Sequence, residues 1–255
     1  MLHSVKQLRG WELAAQDGDI GHVHEVYFDD HRWVIRHLVV DTGGWLDGRQ
    51  VLISPHAVKA LDPAKRRIEV ALTRQQVRDA PGAEVDRPVS RQDEMASYDF
   101  HGYPYYWAGT GLWGTMALPL GGALAAESVA EVAAAASIAP EPPETASADP
   151  NLRSSHEVIG YHVAAQDGEI GHVHDFLFDP SSWQIDMVVV DTHNWLPDRL
   201  VLVPPVWVDS VDWGGRRALF KLDRASIEAS PPYEEQGGVD FAGRKRVQRH
   251  FEGWI

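Results

Sequence analysis

Residues 10–30 read GWELAAQDGDIGHVHEVYFDD, and residues 160–180 read GYHVAAQDGEIGHVHDFLFDP. The likeness continues from WVIRHLVVDTGGWLDGRQVLISP at residues 33–55 to WQIDMVVVDTHNWLPDRLVLVPP at residues 183–205. A constant offset of 150, without a gap, carries the alignment from Gly10 to Pro81, and roughly 30 of about 70 positions are identical. A period of that length is a domain rather than a single supersecondary unit. The 255-residue chain therefore reads as two copies of one small domain.

Within a copy the pattern is β. Leu13–Gln16 reads as a short strand and Asp17-Gly18 as a tight turn, because Gly accepts the positive φ that two-residue hairpins need. Asp19–Phe28 alternates as a second strand. Trp33–Asp41 is a third, and its Leu38-Val39-Val40 run points to burial on both faces. Val51–Ser54, Val58–Leu61 and Arg67–Leu72 complete the set, and Thr73 caps a short helix that ends before Pro81. Many short strands broken by Gly, Asp and Pro turns predict a closed small barrel or a sandwich.

Each copy carries a tail. Ser90 caps an amphipathic helix, SRQDEMASYDF, that runs into His101-Gly102-Tyr103, and residues 243–251, GRKRVQRHF, precede Glu252-Gly253-Trp254. Between the copies, residues 105–114 are rich in Tyr, Trp and Gly. Residues 123–139 are Ala-rich and predict a helix, and residues 140–150, PEPPETASADP, have the composition of a disordered spacer. The organisation read from the sequence is therefore 1–103, first barrel with its helix; 104–153, linker; and 154–255, second barrel with its helix. Residues 100–126 contain no Asp, Glu, Lys or Arg. With Pro104, Pro119 and many glycines the stretch lacks the apolar density of a membrane span, although peripheral membrane contact is left open. Tyr105, Tyr106, Trp107 and Trp113 are the interface candidates within it.

The segments Asp17–Asp29, Leu38–Thr42 and Val51–Pro55, repeated at 167–179, 188–192 and 201–205, resemble the opening hairpin and central strands of PRC-barrel domains. That resemblance covers both barrels and implies a mainly β fold of two small barrels in tandem, with short flanking helices and a long linker. In the photosynthetic reaction-centre H subunit and in a ribosome-maturation factor, such barrels are binding and assembly modules, and no catalytic residues come with the family. The chain also resembles stand-alone two-barrel bacterial proteins.

Chemistry-bearing patterns are sparse. With no cysteine there are no disulfides, thiolate metal sites or thiol nucleophiles. A net charge of −14 repels phosphate backbones, so nucleic acid is not an expected partner. The opening residues contain no apolar signal core, which makes a cytoplasmic location the expectation. His22-Val23-His24 and His172-Val173-His174 are the candidate metal ligands: residues i and i+2 of a strand share a face, and two imidazoles could begin a site that a carboxylate completes. The competing reading is a pair of hydrogen-bonded rings on a half-buried face, with Gly21 introducing a bulge. The Asp-Gly carboxylates are explained by turn chemistry, since neither calcium-loop spacing nor a pair of opposed acids is present. Met187 at the position of His37 marks that slot as core, and Trp33/Trp183 and Trp45/Trp195 read as packing. Arg66-Arg67, Arg216-Arg217 and Arg244-Lys245-Arg246 read as ion-pair partners rather than an RNA surface.

The expectation is thus a non-enzymatic binding or assembly protein without a cofactor, whose partner is itself or another protein. The alternative is a divalent-metal binder that uses both HVH pairs.

Overall fold

The computed structural model describes residues 1–81, 89–121, 151–192, 199–235 and 238–252. The predicted helix at 123–139, the spacer at 140–150, Trp195 and Gly253-Trp254 lie outside the described residues.

Both repeats arrange their strands in the same hydrogen-bonded order. The first contains β2 (Glu12–Ala15), β3 (Gly18–Asp29), β4 (Val34–Asp41), β5 (Gln50–Ile53), β6 (Val58–Asp62) and β7 (Arg67–Val70), in the order β5-β4-β3-β2-β7-β6. The second contains β9 (His162–Ala165), β10 (Gly168–Phe178), β11 (Ile185–Asp191), β12 (Leu200–Val203), β13 (Val208–Asp212) and β14 (Arg217–Phe220), in the order β12-β11-β10-β9-β14-β13. Neighbours are antiparallel except β2 with β7 and β9 with β14, which run parallel. Every β4 residue except Asp41 is buried, including the Leu38-Val39-Val40 run expected to be covered on both faces.

The predicted strands are present, with ends moved by a residue or two. The hairpin loop is Gln16-Asp17 rather than Asp17-Gly18. Gly18, at φ 142°, is already paired with Ala15 and begins β3. At Gly21 the backbones nearly touch: an added Cβ would lie 1.9 Å from the Asp41 carbonyl oxygen, and at Gly171 it would lie 1.7 Å from that of Asp191. Only glycine permits that approach.

The helices follow their caps. Thr73 and Gln76 form a capping box on α2 (Arg74–Asp79), and Ser90 and Asp93 form one on α3 (Arg91–His101), which ends at Gly102 in the left-handed region. The last helix, α6 (Phe241–Glu252), starts two residues before the predicted Gly243. The described residues also include the short helices α1 (Val5–Leu8), α4 (Ser155–Val158) and α5 (Arg224–Glu228).

The units differ from the boundaries expected at 103 and 153. One unit holds Leu8–Leu152 with Ser181–Trp183; the other holds Met1–Gln7, Arg153–Pro180 and Gln184–Ile255. Residues 104–121 therefore belong to the first unit. The opening residues, with the unforeseen strand β1 (His3–Ser4), belong to the unit of the second repeat, where β1 pairs antiparallel with β10. Conversely, Leu152, which opens strand β8 (Leu152–Ser154), sits in the first unit's core with Tyr27, Val39, Leu52 and Val89. A strand's first residues can satisfy whichever equivalent edge they reach, and sequence periodicity carries no information about that choice.

Candidate functional site

The residues common to both repeats hold the scaffold. Gln16 donates its amide to the Ala71 carbonyl (2.7 Å), and Gln166 does the same to Lys221 (2.9 Å). Asp17 accepts the Arg74 amide (2.7 Å) and Asp167 the Arg224 amide (2.8 Å), so each hairpin turn fastens the helix that follows β7 or β14. The Thr42 and Thr192 hydroxyls close their loops onto the carbonyls of Arg49 and Arg199. Trp45 donates its indole N–H to the Ile20 carbonyl and lies under Arg74, 4.4 Å from ring centre to guanidinium carbon. The basic pairs are also engaged: Arg67 bridges Glu12 (2.6 Å) and Asp19 (2.7 Å), and Arg217 pairs with Glu169 (3.1 Å).

The unusual chemistry lies where the repeats diverge. In the first unit Arg36 is fully buried. Its guanidinium pairs with Asp29 (3.0 Å), donates to the Leu112 carbonyl (2.6 Å) and lies over the rings of Tyr106 (3.9 Å) and Trp113 (4.9 Å). Asp29 also accepts the His31 and Arg32 amides, which shapes the turn after β3. Arg32 grips three carbonyls of the same aromatic segment: Tyr106 (3.0 Å), Gly109 (2.8 Å) and Gly111 (2.6 Å). A guanidinium presents its donors as a rigid fork, which suits it to holding an irregular backbone.

A second buried cluster lies beside it. Glu94 on α3 contacts His37 Nε2 at 2.9 Å, accepts the Tyr106 hydroxyl (2.7 Å) and pairs with Arg91 (3.2 Å). His37 does sit in the core, as Met187 at the equivalent position implied, but its imidazole is used. His56 lies among Tyr98, Tyr103 and Trp113 and accepts the Leu120 amide at Nδ1 (3.0 Å). Burial, with Arg36 and His37 adding to it, lowers its pKa from 6.5 to about 3. Burial likewise lowers His101 to about 4 and raises the Tyr98 and Tyr103 hydroxyls.

The four interface candidates thus become the first unit's own cover. Tyr106 and Trp113 are buried, and Trp113 donates to the Ser182 carbonyl (2.8 Å) within the same unit. Tyr105 stacks on Trp107 at 4.7 Å and donates to Asp99 (2.5 Å). A polar recess of about 150 Å³ remains beside this cover, between Asp29, Arg32, Arg91, Tyr106 and Asn151.

In the second unit the charges are reversed. The position of Arg36 is Asp186, and that of Glu94 is Arg244 on α6, which pairs with Asp179 (2.7 Å) and Asp186 (3.0 Å). Burial raises the Asp186 carboxyl despite Arg244. A groove of about 330 Å³ runs along α6 past Leu202, Pro232, Tyr233, Val239 and Arg246.

The HVH histidines point outward. One register shift between Asp19 and Gly21 and another between Val23 and Glu25 keep Ile20, Val23 and Val26 inside, so His22 and His24 are exposed. His172 and His174 are half-buried: the His172 ring lies 4.6 Å from that of His162, and His174 Nε2 is 2.6 Å from Glu235 Oε1. Among the described residues no three His, Asp or Glu side chains are grouped to hold a metal ion.

Two six-strand paths of identical order, each with an added seventh strand, match the repeat in the sequence, and a family model described as PRC-barrel domain matches residues 2–77 and 150–225. The chain belongs to the PRC-barrel family. It is a mainly β protein with two PRC-barrels in tandem, and the matches span more than half of its length. No curated protein matches it. Both family matches include the residues of the opening strands, Leu2–Ser4 and Leu152–Ser154, so these strands are part of the PRC-barrel itself. Arg32, Arg36, Glu94 and His56 escaped the sequence reading. The signal that could have found them was divergence rather than repetition, since Ser182, Asp186, Arg244 and Val206 stand in their places.

Proposed function

We propose that this tandem PRC-barrel protein is a non-enzymatic assembly module of the bacterial cytoplasm, and that its partner is a second copy of itself. The observation that carries the reading is the unequal cover of equivalent positions. In the first barrel His56 is buried under Tyr103, Trp113 and Leu120; at its counterpart Val206 the side chain is 73% exposed. Phe241, at the position of the partly covered Arg91, is 69% exposed. Exposed large apolar side chains at positions that a homologous barrel covers are what a docking partner would bury. The contacts of Arg32 and Arg36 with their own chain's carbonyls and carboxylate fit a structural role in the same reading.

Sedimentation velocity over a concentration series tests this. Concentration-dependent dimers that weaken at least tenfold in a Val206→Asp/Phe241→Asp variant support the reading. A monomer at every concentration sinks it. The same preparation tests metal binding: a Zn²⁺- or Ni²⁺-dependent rise in Tm that vanishes in a His22/His24/His172/His174→Ala variant would put the metal reading in its place.

A further inference from the structure

Residues 2–7, LHSVKQ, align with residues 152–157, LRSSHE, so each repeat carries its own opening strand. Yet residues 1–7 complete the unit of the second repeat. There, His3 and Ser4 pair with Phe178 and Leu177, and the Leu2 amide donates to the Val239 carbonyl (2.8 Å). The Ser4 hydroxyl donates to Asp175 Oδ2, and the Lys6 amide donates to Asp175 Oδ1 (2.9 Å). Leu2, Ser4 and Val5 are buried, and the His3 ring lies 5.9 Å from Phe178.

These are the components of strand addition: backbone bonds supply affinity, and alternate side chains seated in the acceptor supply specificity. Leu2 and Ser4 are the alternate pair, with Asp175 as the fixed acceptor. Asp175 is itself buried, and burial raises its carboxyl above the ordinary range, so losing Ser4 and Lys6 would strip a desolvated carboxylate of two of its donors. An empty acceptor would also leave part of β10 as an open edge.

We propose that the β10 edge around Asp175 is a strand-accepting site that takes residues 1–7 of a second copy of this chain. The proposal rests on the assembly reading and adds to the exposed Val206 and Phe241 a second contact through which copies join. The sequence that fits the site is the chain's own, so a segment from another copy reproduces every contact and exchange sacrifices none. In a single chain the segment competes at the millimolar effective concentration typical of a short tether, so exchange between copies emerges at high protein concentration or where one acceptor lacks its segment.

The test uses two full-chain variants. The acceptor lacks residues 1–7; the donor keeps them but carries Asp175→Lys. Each alone should sediment as a single chain in dilute solution, and their mixture should form a complex of twice that mass. A fluorescein-labelled peptide of residues 1–10 should bind the acceptor. That binding should fall at least tenfold when the acceptor also carries Asp175→Ala, and fail for a peptide carrying Ser4→Lys. A folded acceptor that binds neither donor nor peptide overturns the proposal. Should the acceptor fail to fold, a full chain with a protease site inserted between Gln7 and Leu8 replaces it. After cleavage, exchange of the retained segment for labelled peptide, read by mass spectrometry, supports the site, and no exchange over days overturns it. A monomeric wild type with a peptide-binding acceptor would defeat self-assembly in solution while leaving the strand site standing, so the two failures are distinguishable.

Discussion

Arg36 is the residue on which the first barrel's cover turns. Its charge is out of water, with Asp29 as counter-ion and the Leu112 carbonyl as further acceptor. Breaking such a pair leaves an uncompensated buried charge, so Arg36→Ala should cost about 3–5 kcal/mol, while an Arg36→Met/Asp29→Asn double variant should recover much of that loss. Urea unfolding of both proteins checks it; equal losses would mean the charge pair is not what the single variant removes. His56 makes a pH prediction. Its folded pKa, about 3, lies below the ordinary 6.5. Above pH 6.5 the ring is neutral in both states and contributes no pH dependence. Between 6.5 and 3 the unfolded chain takes up a proton that the folded one refuses, so stability falls by about 1.4 kcal/mol per pH unit. His56→Phe should flatten that slope in denaturation measured between pH 4.5 and 7. The sequence made Gly21 legible as a bulge residue but not its reason, which is a carbonyl from β4 that only a folded sheet brings to it.

At the scale of elements, helix and barrel carry matching charges. Glu94 on α3 meets His37, whereas Arg244 on α6 meets Asp179 and Asp186. Glu94 set on the second barrel would face Asp179 and Asp186, and Arg244 set on the first would face Arg36 as well as Asp29, a repulsion that selects against mispairing. Arg244→Glu should lower Tm by several degrees, because it sets three carboxylates together, and an added Asp186→Arg should restore part of the loss. A double variant no better than the single one would show that α6 is held by its apolar face alone. Both helices were readable from Ser90 and the 243–251 pattern. Their pairing was not, since Glu94 and Arg244 look like ordinary helix-surface charges until the strand beneath them is known.

For the whole molecule, deleting residues 1–7 should injure the second repeat rather than the first. Hydrogen exchange should rise across residues 172–178 of β10 and stay near wild type across residues 22–28 of β3, because Leu2, Ser4 and Asp175 form one local hydrogen-bonded unit. The opposite pattern would mean the opening strand serves its own repeat. The tandem architecture, the strand succession and the caps at Thr73 and Ser90 were determined by the sequence itself, because apolar alternation, turn residues and helix caps act over a few residues and are written locally. Repetition at an offset of 150 then marked the domain unit. Which edge Leu2–Ser4 joins, and that Arg32 and Arg36 grip residues 106–112, was decided only by the tertiary structure. Two homologous barrels offer equivalent edges, and the choice between them depends on contacts more than a hundred residues apart in the chain, such as Ser4 with Asp175. No local pattern encodes such a contact, and only the folded chain brings its two ends together.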